Sequence, residues 1–385
     1  MLNSLVKDNI KSLLSYKVEE HADMIKLDAN ENNNASYLLN EKLVEAIMEL
    51  KINEYPDSDC VELRAMLAEE FDLDIEQIMV GCGSDQLIAL IMDTFIGSGD
   101  KMLTHVPTFG MYKIGTQIAG GITVEVPLNE DFSFDLDGFV EAMEREEPKV
   151  IFLTNPNNPT GNIMSAEQII KIAQLSKGVV AVDEAYYEFY GESVIDLVNE
   201  YENLIVLRTF SKAYGLAGAR VGYGVASKQL MDILYKVKPP YNVASLSQIA
   251  AKVCLMNKDI MYNTVREIVK EREKMINLLK EIPDFRIFES HANFVLCKIG
   301  DNEDVGDVGG IGDIEYAENS RAIEGIEDVE NSGGIRDAKD VYNYLLDNKV
   351  LVRYFGEKGS LANCLRISIG TKEENELVIK LLKEM

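Results

Sequence analysis

The chain has 385 residues, of which 46% are hydrophobic and 27% charged, proportions typical of a globular protein with a large core. Its 38 basic and 65 acidic residues give a formal net charge of −27 at neutral pH. Such a field repels nucleic acid and anionic membranes, so neither is an expected partner, and an anionic ligand needs a local cationic pocket.

The N-terminus and the positions of cysteine and histidine argue against several other classes. The apolar residues of the first ten positions are too interrupted for a secretory core or a membrane span, which predicts a cytoplasmic protein. The five cysteines are scattered without a close pair, and the three histidines lack the spacing of metal ligands. We therefore expect free thiols and no metal site.

Helical and strand patterns alternate along the first two thirds of the chain. Residues 40–51 and 61–71 place apolar side chains at helical spacing and predict two helices. Residues 77–80 form a short apolar run, followed by Gly81-Cys82-Gly83 and a helix that begins at Ser84-Asp85. This order of strand, glycine turn and helix start is suited to binding an anion at free backbone amides.

Three further apolar runs, each ending in polar residues, predict parallel strands. Their spacing leaves room for a crossover helix, and Ser165 with Gln168 has the pattern of a capping box that opens one such helix. The fold class predicted is α/β, with a mainly parallel central sheet and helices on both faces. Ligands of such sheets bind at the carboxyl ends of the strands. The runs are residues 150–153, leading into Asn155, residues 179–182, leading into Asp183, and residues 204–207, leading into Thr209.

The last third of the chain predicts a smaller α+β domain. A long charged helix begins at about Val265, short strands lie around residues 294–296, 350–353 and 365–369, and a closing helix begins at the capping box of Thr371 and Glu374. The predicted domains are an N-terminal arm that contributes to the small domain, a large cofactor-binding domain and the small C-terminal domain. Their ranges are residues 1–39, 40–264 and 265–385.

Residues 300–335 do not follow this pattern. They contain 11 acidic residues and 8 glycines, with Arg321 as the one basic residue. Low hydrophobicity with high charge predicts an acidic, flexible insertion without a catalytic role. A regulatory or partner-binding element is the alternative.

A lysine is surrounded by groups that bind phosphate. Thr209-Phe210-Ser211-Lys212 follows a predicted buried strand, and Arg220 comes eight residues after the lysine. The hydroxyls of Thr209 and Ser211 and the guanidinium of Arg220 can hold a phosphate dianion beside the Lys212 amine. The backbone amides at Ser84-Asp85 can add further donors.

A second strand end supplies groups suited to a pyridine ring. Asp183 can keep a ring nitrogen protonated, so that the ring withdraws electrons from a substrate carbanion. The phenol of Tyr186 and the amide of Asn158 can donate to a phenolate oxygen on the same ring. The segment Asn155-Pro156-Asn157-Asn158-Pro159 also has the composition of a rigid turn, and both interpretations can hold together.

These motifs, in this order, resemble those of the fold-type I aminotransferases of class I/II. The matching residues are Asn158-Pro159-Thr160-Gly161, Asp183-Glu184-Ala185-Tyr186, and Ser211-Lys212 with Arg220, and the likeness covers nearly the whole chain. The resemblance implies pyridoxal 5′-phosphate as cofactor, bonded through the Lys212 amine, which then moves the substrate proton. It also implies that Phe109 stacks on the cofactor ring.

Within that superfamily the chain resembles the histidinol-phosphate aminotransferases. The pointers are Leu27-Asp28-Ala29-Asn30-Glu31-Asn32, Tyr55-Pro56, the run from Lys212 to Gly218, and Leu365-Arg366-Ile367-Ser368-Ile369-Gly370-Thr371. The resemblance implies that Tyr55 reaches the cofactor phosphate of a neighbouring subunit in a homodimer. It implies substrate binding by four residues, Tyr16, Asn30, Arg353 and Arg366.

The reaction implied is transamination of histidinol phosphate with 2-oxoglutarate, a step of histidine biosynthesis. Two other reactions on the same scaffold are alternatives, those of an aromatic amino-acid aminotransferase and of a threonine-phosphate decarboxylase, because each retains Lys212, Asp183 and Arg220. A ligand-sensing regulator is a further alternative of a different class. Such regulators carry a basic DNA-binding module, for which the sequence shows no pattern.

Overall fold

The computed structural model describes residues 2–13, 23–35, 39–300 and 337–385. Tyr16 and nearly all of the predicted acidic insertion at residues 300–335 lie outside these ranges. The described residues form the strands β1 to β12, which span Ile25–Leu27, Ile78–Gly81, Lys101–Val106, Ile122–Pro127, Val150–Thr154, Val179–Asp183, Leu204–Thr209, Gly222–Ala226, Phe285–Ile287, Phe294–Ile299, Val350–Tyr354 and Cys364–Ser368.

The same residues form α-helices and short 3-10 turns. The helices α1 to α13 span Asp8–Lys11, Asn40–Met48, Val61–Phe71, Gly83–Phe95, Met111–Ala119, Leu136–Glu146, Ala166–Leu175, Tyr187–Tyr190, Lys228–Leu234, Ser245–Met256, Lys258–Leu279, Ala338–Asp347 and Lys372–Glu384. The 3-10 turns span Leu2–Ser4, Ile75–Gln77, Ile195–Asn199 and Ala217–Ala219.

The contacts within the chain divide it into two compact units. The first consists of Met1–Leu13 and Asn32–Glu267, and the second of Leu14–Glu31 and Ile268–Met385. The functional domain ranges drawn from the sequence stay a prediction.

The first unit is built on a seven-stranded sheet with the order β2-β8-β7-β6-β5-β3-β4. The strands β3 to β7 pair in parallel, and β8 is antiparallel to both β2 and β7. Every residue of β5, β6 and β7 is buried, as expected for the centre of a parallel sheet flanked by helices. The predicted α/β fold class is confirmed.

Parallel register places the polar ends of the central strands side by side. Thr154 at the end of β5 pairs with Asp183 at the end of β6, and Asp183 pairs in turn with Leu207 of β7. Thr209 ends β7 opposite Gly222 of β8. The capping box predicted at Ser165 opens α7. The sheet therefore places the predicted polar residues side by side at the carboxyl ends of its central strands.

The second unit contains a five-stranded sheet with the order β1-β11-β12-β10-β9. The pair β1 and β11 is parallel, and the other pairs are antiparallel. The strands predicted near residues 294–296, 350–353 and 365–369 are confirmed, and the capping box at Thr371 opens α13.

The long charged helix begins earlier than predicted. It starts at Lys258 rather than at about Val265, directly after Asn257 at the end of α10. The boundary is a single residue without glycine or proline, so the sequence pattern gave no strong break there. The prediction of its start was wrong by about two helical turns.

The described part of the chain contains neither a candidate membrane span nor a cluster of metal ligands. None of the helices there combines the length and hydrophobicity that a membrane crossing requires. In the same ranges, no three or more His, Cys, Asp or Glu side chains converge as a group that could hold a metal ion.

Candidate active site

The start of α4 and the loop after β7 form a cluster of hydrogen-bond donors. Thr209 Oγ1 donates to Ser211 Oγ at 2.9 Å, and Arg220 Nη1 lies 3.5 Å from the same oxygen. Arg220 Nη2 donates to the Asp85 carboxylate at 2.8 Å. The predicted phosphate ligands Asp85, Thr209, Ser211 and Arg220 are thus brought together. The Asp85 carboxylate accepts from the Arg220 guanidinium, so the Asp85 side chain cannot itself bind an anion. The contribution of Asp85 to anion binding would come from the backbone at the helix start.

Two glycines allow the backbone to pack closely around this cluster. Gly83 has a φ of +75°, and a Cβ atom on it would lie 2.6 Å from Arg220 Nη2. A Cβ atom on Gly222 would lie 2.4 Å from the backbone nitrogen of Ser84. Strand β8 therefore lies directly against the first turn of α4, beside its free amides. We call the group of Ser84, Asp85, Thr209, Ser211 and Arg220 the anion cradle.

Gly222→Ala should destabilise the protein and weaken anion binding. The added methyl meets backbone atoms, which cannot rotate away, so we expect a cost of about 3 kcal/mol, the upper end for overpacking. Gly224→Ala on the same strand is the matched control, because its Cβ would meet the flexible side chains of Leu207, Ile205 and Leu87 at 3.3 to 3.5 Å. Thermal unfolding and the affinity of both variants for inorganic phosphate test this. Equal behaviour of the two variants would contradict the close approach.

Asp183 is a buried carboxylate with two hydrogen-bond donors. Tyr112 Oη donates to Oδ2 at 2.8 Å, and the backbone nitrogen of Ala185 donates to Oδ1 at 3.1 Å. Its residue surface is 3% exposed, and burial raises the pKa of the carboxyl to about 6. Among the residues that the structure describes, no cationic side chain forms an ion pair with it. A buried carboxylate in this state favours a cationic ligand.

Lys212 and Tyr186 come from neighbouring strand ends. Lys212 Nζ lies 5.8 Å from the centre of the Tyr186 ring, which is itself buried. Phe109 packs edge to face on Tyr112 with ring centres 5.7 Å apart. Because Tyr112 donates to Asp183, Phe109 is connected to that carboxylate through one intervening side chain. These contacts gather the predicted amine, phenol and aromatic ring in the first unit.

Asn158 lies in the loop after β5, and side chains of this loop hold it in place by hydrogen bonds to the backbone. Asn155 Nδ2 donates to the backbone oxygen of Met164 at 3.2 Å, and the backbone nitrogen of Met164 donates back to Asn155 Oδ1 at 2.9 Å. Asn157 Nδ2 donates to the backbone oxygen of Pro107 at 2.9 Å. The predicted turn is therefore rigid, and Asn158 is half-buried within it.

Tyr55 lies at the surface of the first unit. Its residue surface is 82% exposed, and its ring stacks on Tyr241 with centres 4.7 Å apart. In the described ranges its ring contact is with Tyr241, not with a residue of the anion cradle. The structure therefore leaves its predicted contact with a neighbouring subunit untested.

The second unit carries three of the predicted substrate-binding residues. Arg353 of β11 and Arg366 of β12 are register partners, so their side chains leave the same face of the sheet. Arg366 donates to the backbone oxygen of Asp28, and its guanidinium lies 5.3 Å from the Phe294 ring centre. Asn30 is buried, and its backbone nitrogen donates to Ser368 Oγ at 2.9 Å.

Comparison with known proteins decides the family. The family model described as aminotransferase class I and II matches residues 22–382. The chain belongs to the class I and II aminotransferases. It is 40% identical to the histidinol-phosphate aminotransferase of Ruminiclostridium cellulolyticum over 98% of this chain and 97% of that protein. It is also 40% identical to the chloroplastic histidinol-phosphate aminotransferase of Nicotiana tabacum, over 94% of this chain and 79% of that protein.

Solved structures of an aminotransferase and of a decarboxylase share the fold. The histidinol-phosphate aminotransferase of Sinorhizobium meliloti, solved in complex with pyridoxal-5′-phosphate, superposes with a TM-score of 0.82 and 23% identity, covering 99% of this chain and 98% of that one. The L-threonine-O-3-phosphate decarboxylase of Porphyromonas gingivalis gives a TM-score of 0.72 and 22% identity over 94% of this chain and 99% of that one. At these identities the likeness concerns the fold alone.

An ion pair that sequence reasoning missed joins the ends of β6 and β7. Arg208 Nη2 and Glu184 Oε2 lie 2.9 Å apart, and both side chains are 1% exposed. Burial alone would lower the pKa of Arg208, but the Glu184 carboxylate holds it above its usual range. Glu184 follows Asp183, and Arg208 precedes Thr209. The pair therefore links the strand end that carries Asp183 to the strand end that carries Thr209 of the anion cradle.

Proposed function

We propose that this aminotransferase uses pyridoxal 5′-phosphate to transfer an amino group from histidinol phosphate to 2-oxoglutarate, forming imidazole acetol phosphate and glutamate in histidine biosynthesis. The relatives at 40% identity over nearly the full chain support this substrate pair. The buried Asp183 carboxylate, which lacks a cationic partner among the described residues, carries the cofactor assignment because a protonated pyridine nitrogen would complete it.

The residues present fit this cofactor. The anion cradle combines the guanidinium of Arg220, the hydroxyls of Thr209 and Ser211 and helix-start amides, which suits a phosphate dianion. Asp183 would bind the ring nitrogen, while Tyr186 and Asn158 would donate to the phenolate oxygen and Phe109 would cover one ring face. When bound, pyridoxal phosphate supplies an electron-withdrawing ring that stabilises negative charge at the substrate carbon.

Lys212 is the residue that moves the proton. Its amine would hold the cofactor in the resting enzyme and, once free, would take the proton from the substrate carbon at Nζ. The same atom would then give the proton up at a second position in the site. One flexible amine can serve both positions, and the neighbouring Tyr186 ring confines it from one side.

The substrates require an anion site in addition to the cradle. Glutamate and 2-oxoglutarate carry carboxylates, whereas histidinol phosphate carries a phosphate ester and no α-carboxylate. Arg366 and Arg353 can form paired hydrogen bonds to either group, so one pocket would serve both substrates in turn. Asn30 and Tyr16 are proposed as further substrate ligands.

A homodimer is part of the proposal. Tyr55 is exposed and would reach the cofactor phosphate of a neighbouring subunit. The same stretch exposes further apolar side chains, which an interface would cover: Val44, Ile47, Met48 and Ile52. We propose a cytoplasmic location with small molecules as the other partners.

Arg366→Lys should lower kcat/KM for both glutamate and histidinol phosphate. Lysine keeps the charge but loses the planar pair of donors, so we expect about 2 kcal/mol, or about thirtyfold, for each substrate. Arg286→Lys on β9 of the same unit is the matched control, because Arg286 is exposed. The test measures steady-state rates with glutamate, with histidinol phosphate and with an aromatic amino acid. Release of carbon dioxide is followed in parallel. Activity toward the aromatic amino acid, or decarboxylation, without activity toward histidinol phosphate would refute the substrate assignment.

A further inference from the structure

Next to Asp183 lies a chain of hydroxyl groups that the proposed mechanism has not used, buried at Tyr112 and Thr154 and half-buried at Thr108. Tyr112 Oη, which donates to Asp183, lies 2.9 Å from Thr154 Oγ1. Thr154 Oγ1 lies 3.0 Å from Thr108 Oγ1, and Thr108 Oγ1 donates to Asn157 Oδ1 at 2.7 Å. Four short contacts thus connect the carboxylate to an amide oxygen through three hydroxyls.

The direction of the chain is fixed at both ends. The Asn157 amide cannot turn over, because its Nδ2 donates to the backbone oxygen of Pro107 and to Thr160 Oγ1. Its Oδ1 must therefore face Thr108 as an acceptor. An ionised Asp183 is also an acceptor only. Three hydroxyl protons must then serve four contacts, so one contact lacks a proton whenever the carboxylate is ionised.

The contact with the carboxylate is the one that keeps its proton. A hydrogen bond to an ionised oxygen is about twice as strong as one between neutral groups, so Tyr112 donates to Asp183 first. Burial, together with the Asp183 carboxylate, holds the pKa of Tyr112 well above its usual value, so the phenol stays a donor. The contact that lacks a proton is therefore one of those made by Thr154, Thr108 and Asn157, farther from the carboxylate.

The ring of Tyr112 is held independently of its hydroxyl. It is fully buried and stacks on Phe152 with ring centres 4.5 Å apart and planes 14° from parallel. Thr116 of the same helix donates to the backbone oxygen of Tyr112 at 2.8 Å. The hydroxyl is therefore aimed by packing, and its removal need not disturb the fold.

We infer that Tyr112 is a positioning residue that, through its hydroxyl, holds the Asp183 carboxylate in the ionised form and in the orientation that binds the cofactor's ring nitrogen. Thr154 supports it from behind, and Thr108 lies too far along the chain to matter much. This inference rests on the proposed function. It assigns a role to a side chain that acts through its hydrogen bond to Asp183.

The test compares Tyr112→Phe with wild type as holoprotein carrying ¹⁵N-labelled pyridoxal phosphate. Without the hydroxyl the carboxylate loses a charge-assisted donor, so the shared proton should move toward Asp183. We expect the ring-nitrogen resonance to shift toward that of an unprotonated pyridine. We also expect kcat to fall about tenfold, the loss of one such hydrogen bond, while KM changes less than about twofold.

Three controls separate positioning from a structural role. Tyr190→Phe removes a surface hydroxyl that donates to the Glu192 carboxylate at 2.9 Å, and it should leave all readouts unchanged. Thr154→Val should give a smaller shift of the resonance than Tyr112→Phe, and Thr108→Val the smallest. The melting temperature of Tyr112→Phe should stay close to that of wild type, because the Phe152 stacking is retained.

The outcomes distinguish this inference from the proposed function. A wild-type resonance of a protonated ring nitrogen that stays unchanged in Tyr112→Phe would overturn the role of Tyr112 and leave the cofactor assignment intact. A wild type that binds no cofactor would overturn the proposed function and this inference with it. A large fall in melting temperature with an unchanged resonance would make Tyr112 a structural residue and refute its positioning role.

Discussion

Lys212→Ala should lose transamination by at least about 10⁴-fold while the protein remains folded. In the proposed mechanism the amine both holds the cofactor and moves the substrate proton, so one substitution removes two contributions to the rate. Lys212 is partly buried beside Tyr186 in a loop whose conformation is set by other groups, including the hydrogen bond between Thr209 and Ser211. We therefore expect a melting temperature near that of wild type for the cofactor-free protein.

Two measurements make this prediction specific. Borohydride reduction of the holoprotein followed by peptide mapping should find the cofactor on Lys212. Lys228→Ala, which removes a surface lysine in α9 that lies 3.9 Å from Asp232, should keep normal turnover. Labelling of a different lysine, or turnover within tenfold of wild type in Lys212→Ala, would be incompatible with the assigned role.

Asp183→Asn should slow the loss of the substrate proton by about 3 kcal/mol, or 10² to 10³-fold. The amide is the same shape and can still accept from Tyr112, but it cannot balance a charge on the ring nitrogen as the developing carbanion needs. The cofactor phosphate would still be held in the anion cradle, so binding should weaken far less than catalysis.

Single-turnover rates and cofactor affinity separate the two effects. Asp93→Asn in α4 is the control, because Asp93 is exposed. Its single-turnover rate should equal that of wild type. The role of Asp183 would be disproved by an unchanged rate in Asp183→Asn, or by a loss of activity explained wholly by lost cofactor.

The central strands could be predicted because their surroundings are uniform. Strands β5, β6 and β7 are buried on both faces, so each reads as an unbroken apolar run that ends where the polar residues begin. The capping boxes at Ser165 and Thr371 were equally visible, since a cap and its partner lie three residues apart. The boundaries of these strands and helices depend on residues close together in the sequence, so the sequence alone predicts them.

The features that sequence reasoning missed depend on distant residues. The hydroxyl chain joins Tyr112 of α5 to Thr154 of β5 and Asp183 of β6, and nothing in the spacing of these residues shows that their oxygens meet. The ion pair of Glu184 and Arg208 is hidden for the same reason, because charged residues in a sequence usually indicate solvent exposure. Strand order and register decide such contacts.

Histidinol phosphate should act as an amino donor for this aminotransferase, and a half-reaction tests this most directly. The purified holoprotein is mixed with histidinol phosphate and no oxo acid, and its absorption spectrum is followed. Full conversion of the bound pyridoxal form to the pyridoxamine form, reversed by added 2-oxoglutarate, is the result that the proposal predicts. Conversion by an aromatic amino acid or glutamate, with no conversion by histidinol phosphate, would contradict it.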